Sequence, residues 1–170
     1  MISSEALQEI TLRYDARFES MYLDGPAETR ALCAVVGVLL HPWYVERVAR
    51  AVLERRGFGA NDFSFRYPVV ELLDPGEALW EGVEVEAVHE VQYLAESAFE
   101  SLIVRAMRAY LDQAPTTGRR PVELNTRSQV ERLLQEIGLR NVDSSAGDTG
   151  GRESQPVQPA GAHSPSMKNT

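Results

Sequence analysis

A chain of 170 residues, 44% hydrophobic and 25% charged, is long enough for one ordinary soluble domain with a single core and too short for two substantial ones. Its formal net charge of −8 and sequence pI near 4.9 exclude non-specific nucleic-acid binding, which needs a surplus of Lys and Arg to displace counterions; the natural partners of such a surface are basic. Cys33 is the only cysteine, so no intramolecular disulfide is possible and nothing points to an oxidising compartment.

The opening MISSEALQEI lacks the basic start and apolar stretch of a secretory signal. The longest apolar run falls well short of the roughly 20 residues that cross a bilayer. A cytoplasmic protein without membrane contact is expected.

In chain order, residues 3–23 carry two periods at once. Leu7, Ile10, Tyr14, Phe18 and Met21 make a helical stripe with Ser3 or Ser4 available as a cap, while Ile10, Leu12, Tyr14, Ala16 and Phe18 alternate as in a strand. The helix is the preferred reading. Asp24-Gly25-Pro26 breaks whatever precedes it. Ala27 to Leu40 reads as a helix buried on several sides, with Cys33 as a small core residue. His41-Pro42 ends it, because the residue before proline avoids the helical region, and Pro42 suits the first turn of a new helix. Val45, Val48, Ala49 and Val52 give that helix its buried stripe, Glu46, Arg47, Arg50, Glu54 and Arg55 its wet side, and Gly57 its stop.

Gly57 to Asp62 is a turn-rich connector. Phe63, Phe65 and Tyr67 alternate with Ser64 and Arg66, a short strand ended by Pro68. After a second connector around Asp74-Pro75-Gly76, Val83, Val85 and Ala87 alternate with Glu84 and Glu86, and a turn at His89-Glu90 allows Val91 to Tyr93 to form a third strand. Phe99, Leu102, Ile103, Ala106, Tyr110 and Leu111 then share one helical stripe that folds back on the sheet. Residues 113–124 are polar. A last helix follows with Ser128 and Glu131 as a capping box, Val130, Leu133, Leu134 and Ile137 as its apolar side, and Gly138 as its end. From Asp143 the Ser-, Gly- and Pro-rich chain lacks the apolar surface to offset its conformational entropy. The expected architecture is α+β: a single domain over 1–142, with a small antiparallel sheet of about three strands packed by several helices, and a disordered C-terminal tail over 143–170.

Chemistry is sparse. There is no HExxH or CxxC, no GxSxG elbow, and no phosphate-binding glycine loop. Of the three histidines, His163 falls in the tail and His41 suits a turn cap. His89 is flanked by Glu86 and Glu90, which defines one alternative, a small metal-dependent hydrolase on His89, Glu86 and Glu90. Between Arg66 and Arg105 the chain has no Lys or Arg, while Glu71, Asp74, Glu77, Glu81, Glu84, Glu86, Glu90, Glu96 and Glu100 all fall inside. Such a one-signed field speeds association with a basic partner, whereas a solubilising surface mixes signs. The partner-binding candidates are Asp74, Glu77, Glu84, Glu86 and Glu90, with Trp80 as an aromatic anchor; the competing readings are a solvated strand face and a tryptophan tucked into its own core. A structural adaptor using Ala31 to Leu40 as an interface is a further alternative.

The central stretch also carries a resemblance. Trp80-Glu81-Gly82-Val83, the run VQYLAESAFESLIVRAMRAYLDQAP from Val91 to Pro115, and upstream the Gly57-Phe58-Gly59 turn and the strand ending in Tyr67-Pro68 resemble the immunity proteins of contact-dependent growth inhibition systems, in the group that neutralises ribonuclease toxins. The acidic turn is shorter here, Val88-His89-Glu90. The resemblance implies a small α+β cytoplasmic protein with no catalysis of its own that binds the toxin domain and blocks its active site; together with the acidic surface, the expectation is a protein without cofactor, monomeric when free, that binds a basic toxin nuclease domain one to one.

Overall fold

The computed structural model describes residues 2–68, 79–115 and 122–146. The first helix, α1 (Ser4–Gln8), is short: the Ser3 hydroxyl accepts from the Ala6 amide at 3.1 Å, and an Arg105 guanidinium reaching from far along the chain donates to the carbonyls of Leu7 and Ile10. The strand period takes over after it. β1 (Thr11–Asp15) and β2 (Ser20–Asp24) form an antiparallel hairpin with Tyr14 opposite Met21, which corrects the helix expected over 3–23. The Asp15 carboxylate accepts from the Arg17 amide at 2.8 Å, a side-chain turn that reverses the chain where a helix would have continued.

After a 3-10 turn, Ala27–Thr29, the helix α2 (Arg30–Leu39) runs through the middle of the molecule with Leu32, Val35, Val36 and Leu39 fully buried. It ends before His41-Pro42 as expected. The His41 imidazole Nδ1 accepts from the Trp43 amide at 3.3 Å, closing the turn into α3 (Val45–Leu53). α3 buries the expected Val45, Val48, Ala49 and Val52 but stops earlier than Gly57. Arg55 takes the left-handed backbone (φ 53), and the Arg56 amide closes back on the Ala51 carbonyl at 2.8 Å.

The expected connector after it contains a strand. β3 (Phe58–Ala60) pairs with β4 (Phe63–Arg66), β4 with β5 (Val83–Ala87) and β5 with β6 (Glu90–Leu94), all antiparallel, giving the order β3-β4-β5-β6. The α+β expectation holds, with a four-stranded sheet and a separate hairpin in place of about three strands. Val88 and His89 make the β5–β6 turn with φ of 53 and 113, the backbone a two-residue hairpin demands, adopted here by two residues that carry side chains.

The long helix α4 (Glu96–Gln113) follows, its predicted stripe from Phe99 to Leu111 buried throughout. Phe99 meets Phe65 at 5.0 Å and Tyr67 at 6.2 Å between ring centroids, tying α4 to β4. The last helix, α5 (Leu124–Ala146), is longer than the sequence suggests. Ser128 and Glu131 lie inside it and do not cap it, because Arg127 clamps its first turn to α4 by donating to the carbonyls of Leu111 and Ala114. It runs through Gly138, a cost of about 1 kcal/mol. Offsetting that, Ile137 is buried and Arg140 grips both the Leu53 carbonyl, at 2.8 Å, and the buried Glu100 carboxylate. α5 thus passes the expected 142/143 boundary; the tail from 147 on lies outside the described residues.

Candidate functional site

Period-two alternation divides the four-stranded sheet into two faces. Phe65, Val83, Val85 and Leu94 are buried on the inner face, against which α2 packs. The register sets two consecutive rows on the outer face: Arg66, Glu84 and Tyr93 in one, Ser64, Glu86 and Val91 in the next. Tyr93 is 41% and Val91 45% exposed.

The first row is closed. Arg66 Nε donates to Glu84 Oε1 at 2.5 Å, Arg66 Nη2 to Glu84 Oε2 at 3.3 Å, and the Tyr93 hydroxyl to Glu84 Oε2 at 2.8 Å. The guanidinium carbon lies 4.5 Å from the centroid of the Trp80 ring, close enough for a cation–π contact. Gly82 makes room for this arrangement: with φ 81 and a would-be Cβ only 1.9 Å from the Leu94 carbonyl oxygen, only glycine fits between Trp80 and β5. The exposed acid expected at Glu84 is therefore corrected. Its residue is 6% exposed and its charge is met by an arginine of the neighbouring strand.

The remaining candidates separate. Glu86 is exposed on the outer face, in the second row. Glu90 stands opposite Ala87, at the rim of the inner face, where Gln92 Nε2 donates to it at 3.2 Å. Glu86 and Glu90 thus belong to opposite faces, so the pattern proposed for a metal at His89 does not converge, and the described residues hold no group of three His, Cys, Asp or Glu suited to a metal ion. His89 is exposed at the hairpin turn. Trp80 is half-buried, its ring on Arg66, with an indole N–H that is buried and meets no acceptor. Asp74 and Glu77 lie outside the described residues.

Elsewhere the sequence candidates belong to the core. Ala31 to Leu40, considered as an adaptor interface, is the interior helix α2. Cys33 is buried beneath Thr29, and burial pushes its thiol pKa up. Arg66, Tyr93 and Val91 are the site residues not singled out beforehand. The only sequence signal for them was the polar phase of the Phe63–Phe65 alternation and the solvent phase of Val91 and Tyr93.

No family model, curated protein or solved structure matches this chain. Among the described residues no helix is long and apolar enough to cross a membrane.

Proposed function

We propose that the protein is a binding protein of the immunity or antitoxin class, acting in the cytoplasm as a monomer that captures a basic nuclease toxin domain one to one and occludes it, with no reaction and no cofactor of its own. One observation carries the reading: the outer sheet face combines exposed Val91 and Tyr93 with the exposed acid Glu86, half-buried Trp80 lies on its Arg66 with the exposed acid Glu81 next to it in sequence, and that arginine is already held by Glu84. Aromatic anchors surrounded by charge are the composition of an interface hot spot. Uncompensated acids add association rate and select a basic partner. The acid-only stretch of sequence between Arg66 and Arg105 points the same way.

The test takes the product of the open reading frame immediately upstream, expressed as its C-terminal domain. A one-to-one complex is expected, with an association rate that falls as salt rises and drops at least about tenfold when Glu81 and Glu86 are both changed to Lys. Tyr93→Ala is expected to raise the dissociation rate. Unchanged association in the double lysine variant, in a partner that does bind, removes the outer face as the interface.

A further inference from the structure

The two outer-face rows have the same geometry and different occupancy. At Glu84 the row is completed on the β4 side by Arg66, long enough to lay its guanidinium on the carboxylate, with Tyr93 donating from β6 and Trp80 covering the guanidinium face. Two residues farther along β5, about 6.8 Å on at the usual strand rise, stands Glu86. The β4 residue opposite it is Ser64, whose side chain is too short to bring a cation there. On the β6 side is Val91, which has nothing to donate. Glu86 is exposed, and its carboxylate makes no hydrogen bond or ion pair among the described residues.

We propose that Glu86 is a receptor for an arginine side chain of the partner, which completes the second row as Arg66 completes the first. This rests on the reading of the protein as a binder of a basic domain, and adds which group of that domain is taken and where. Arginine fits better than lysine. Its planar fork matches a carboxylate bidentately, and a remaining N–H reaches the Ser64 hydroxyl, which accepts. Val91, with Tyr93 one row along, offers apolar surface for the three-carbon stem. With Arg66 and Glu84 already cancelling in the adjacent row, Glu86 is the carboxylate that leaves this face negative, so a cation seated on it is attracted by Glu86 while the charge of Arg66 is offset by Glu84.

The experiment is an NMR titration of the isotope-labelled full chain at low salt with acetyl-Gly-Arg-Gly-amide, and with the same peptide carrying neutral citrulline in place of arginine. Shifts that grow with peptide concentration and centre on the amides of Ser64, Glu86 and Val91 are expected with arginine. The citrulline peptide is expected to give none, and the shifts are expected to vanish in Glu86→Gln. In Ser64→Arg, which supplies the row with its own cation, the peptide response is expected to fall at least about fivefold while the fold is kept, as judged by unchanged α4 resonances. Shifts that miss this row, persist in Glu86→Gln or are equal for citrulline overturn the assignment. The two proposals fail separately: an upstream partner that binds in a salt-dependent way yet tolerates Ser64→Arg and Glu86→Gln removes the Glu86 receptor and leaves the acidic binder standing. A partner that does not bind at all removes the toxin reading, and the peptide titration then decides the row by itself.

Discussion

The side-chain carbonyl of Gln92, on β6, accepts a hydrogen bond from the Leu32 amide of α2 at 3.1 Å, sixty residues away in sequence. Its amide nitrogen donates to the Glu28 carbonyl at 2.8 Å. α2 has no cap of its own, since the Thr29 hydroxyl donates back to the Pro26 carbonyl and does not accept from the helix. A strand side chain thus satisfies one of the orphan amides of the central helix and fixes the helix against the sheet edge. Gln92→Ala is expected to cost about 1–2 kcal/mol, the usual loss for a helix cap. Urea unfolding would read this as a lower midpoint with an unchanged slope.

That contact explains part of what the sequence conceals. The alternation in Val83–Ala87 and the stripe from Phe99 to Leu111 are local, and both elements form where they are expected. Over residues 3–23 both periods fit equally well, and the Asp15 turn decided between them. β3 is only three residues long, too short for alternation to register. The start of α5 is set by Arg127 on α4 carbonyls and its course past Gly138 by Arg140 on α3, neither visible in a capping pattern. The outer-face position of Glu86 was legible from its phase. The neutralisation of Glu84 was not, because it depends on the register of β4 against β5, set across a long connector.

Two buried tyrosines make a contrasting pair. The Tyr67 hydroxyl donates to Glu100 Oε1 at 3.3 Å, while the Tyr110 hydroxyl is buried with no partner. Tyr67→Phe is expected to cost about 1 kcal/mol, and Tyr110→Phe to be neutral or stabilising by up to about 1 kcal/mol, since it removes an unsatisfied buried group. Burial first, then the Glu100 and Glu96 carboxylates, raises the Tyr67 phenol far above its ordinary 10.0; burial and the neighbouring Tyr14 do the same to Tyr110. A raised phenol pKa means the native state holds protons that the unfolded chain releases. The contribution is therefore full below pH 10.0 and lost as pH rises toward the folded-state values. Stability measured in urea from about pH 8 to 11 should fall steeply above 10, and less steeply in the double Phe variant.

Gly82 offers the sharpest backbone test. An alanine there places its Cβ against the Leu94 carbonyl and must hold a left-handed backbone besides, so Gly82→Ala is expected to cost more than about 2 kcal/mol. The β5–β6 ladder at Val83↔Leu94 should open first, seen as faster amide exchange at Leu94 than at Gln92, the next residue of β6 whose amide faces β5. Equal exchange would mean that the close approach at Gly82 does not hold that end of the sheet together.

The Arg66–Glu84 pair sits between surface and interior: Glu84 is almost wholly buried while the Arg66 side chain is 44% exposed. Removing the arginine leaves a buried carboxylate with Tyr93 as its remaining donor and strips the cation from the Trp80 ring. A fully buried pair broken this way costs about 3–5 kcal/mol, but solvent around the guanidinium screens the attraction, so about 2 kcal/mol is expected for Arg66→Ala. Glu84→Gln keeps one oxygen, able to accept from Arg66 Nη2 and Tyr93, loses the bond from Arg66 Nε and leaves no buried charge, and should cost less. Replacing both together, Arg66→Met with Glu84→Leu, should restore most of the loss, because no uncompensated charge is then buried. In a Trp43→Phe background, Trp80 is the only tryptophan, and its fluorescence reports the stacking directly. A change in emission for Arg66→Ala without a comparable loss of stability would mean that the cation orients Trp80 for a partner more than it holds the sheet.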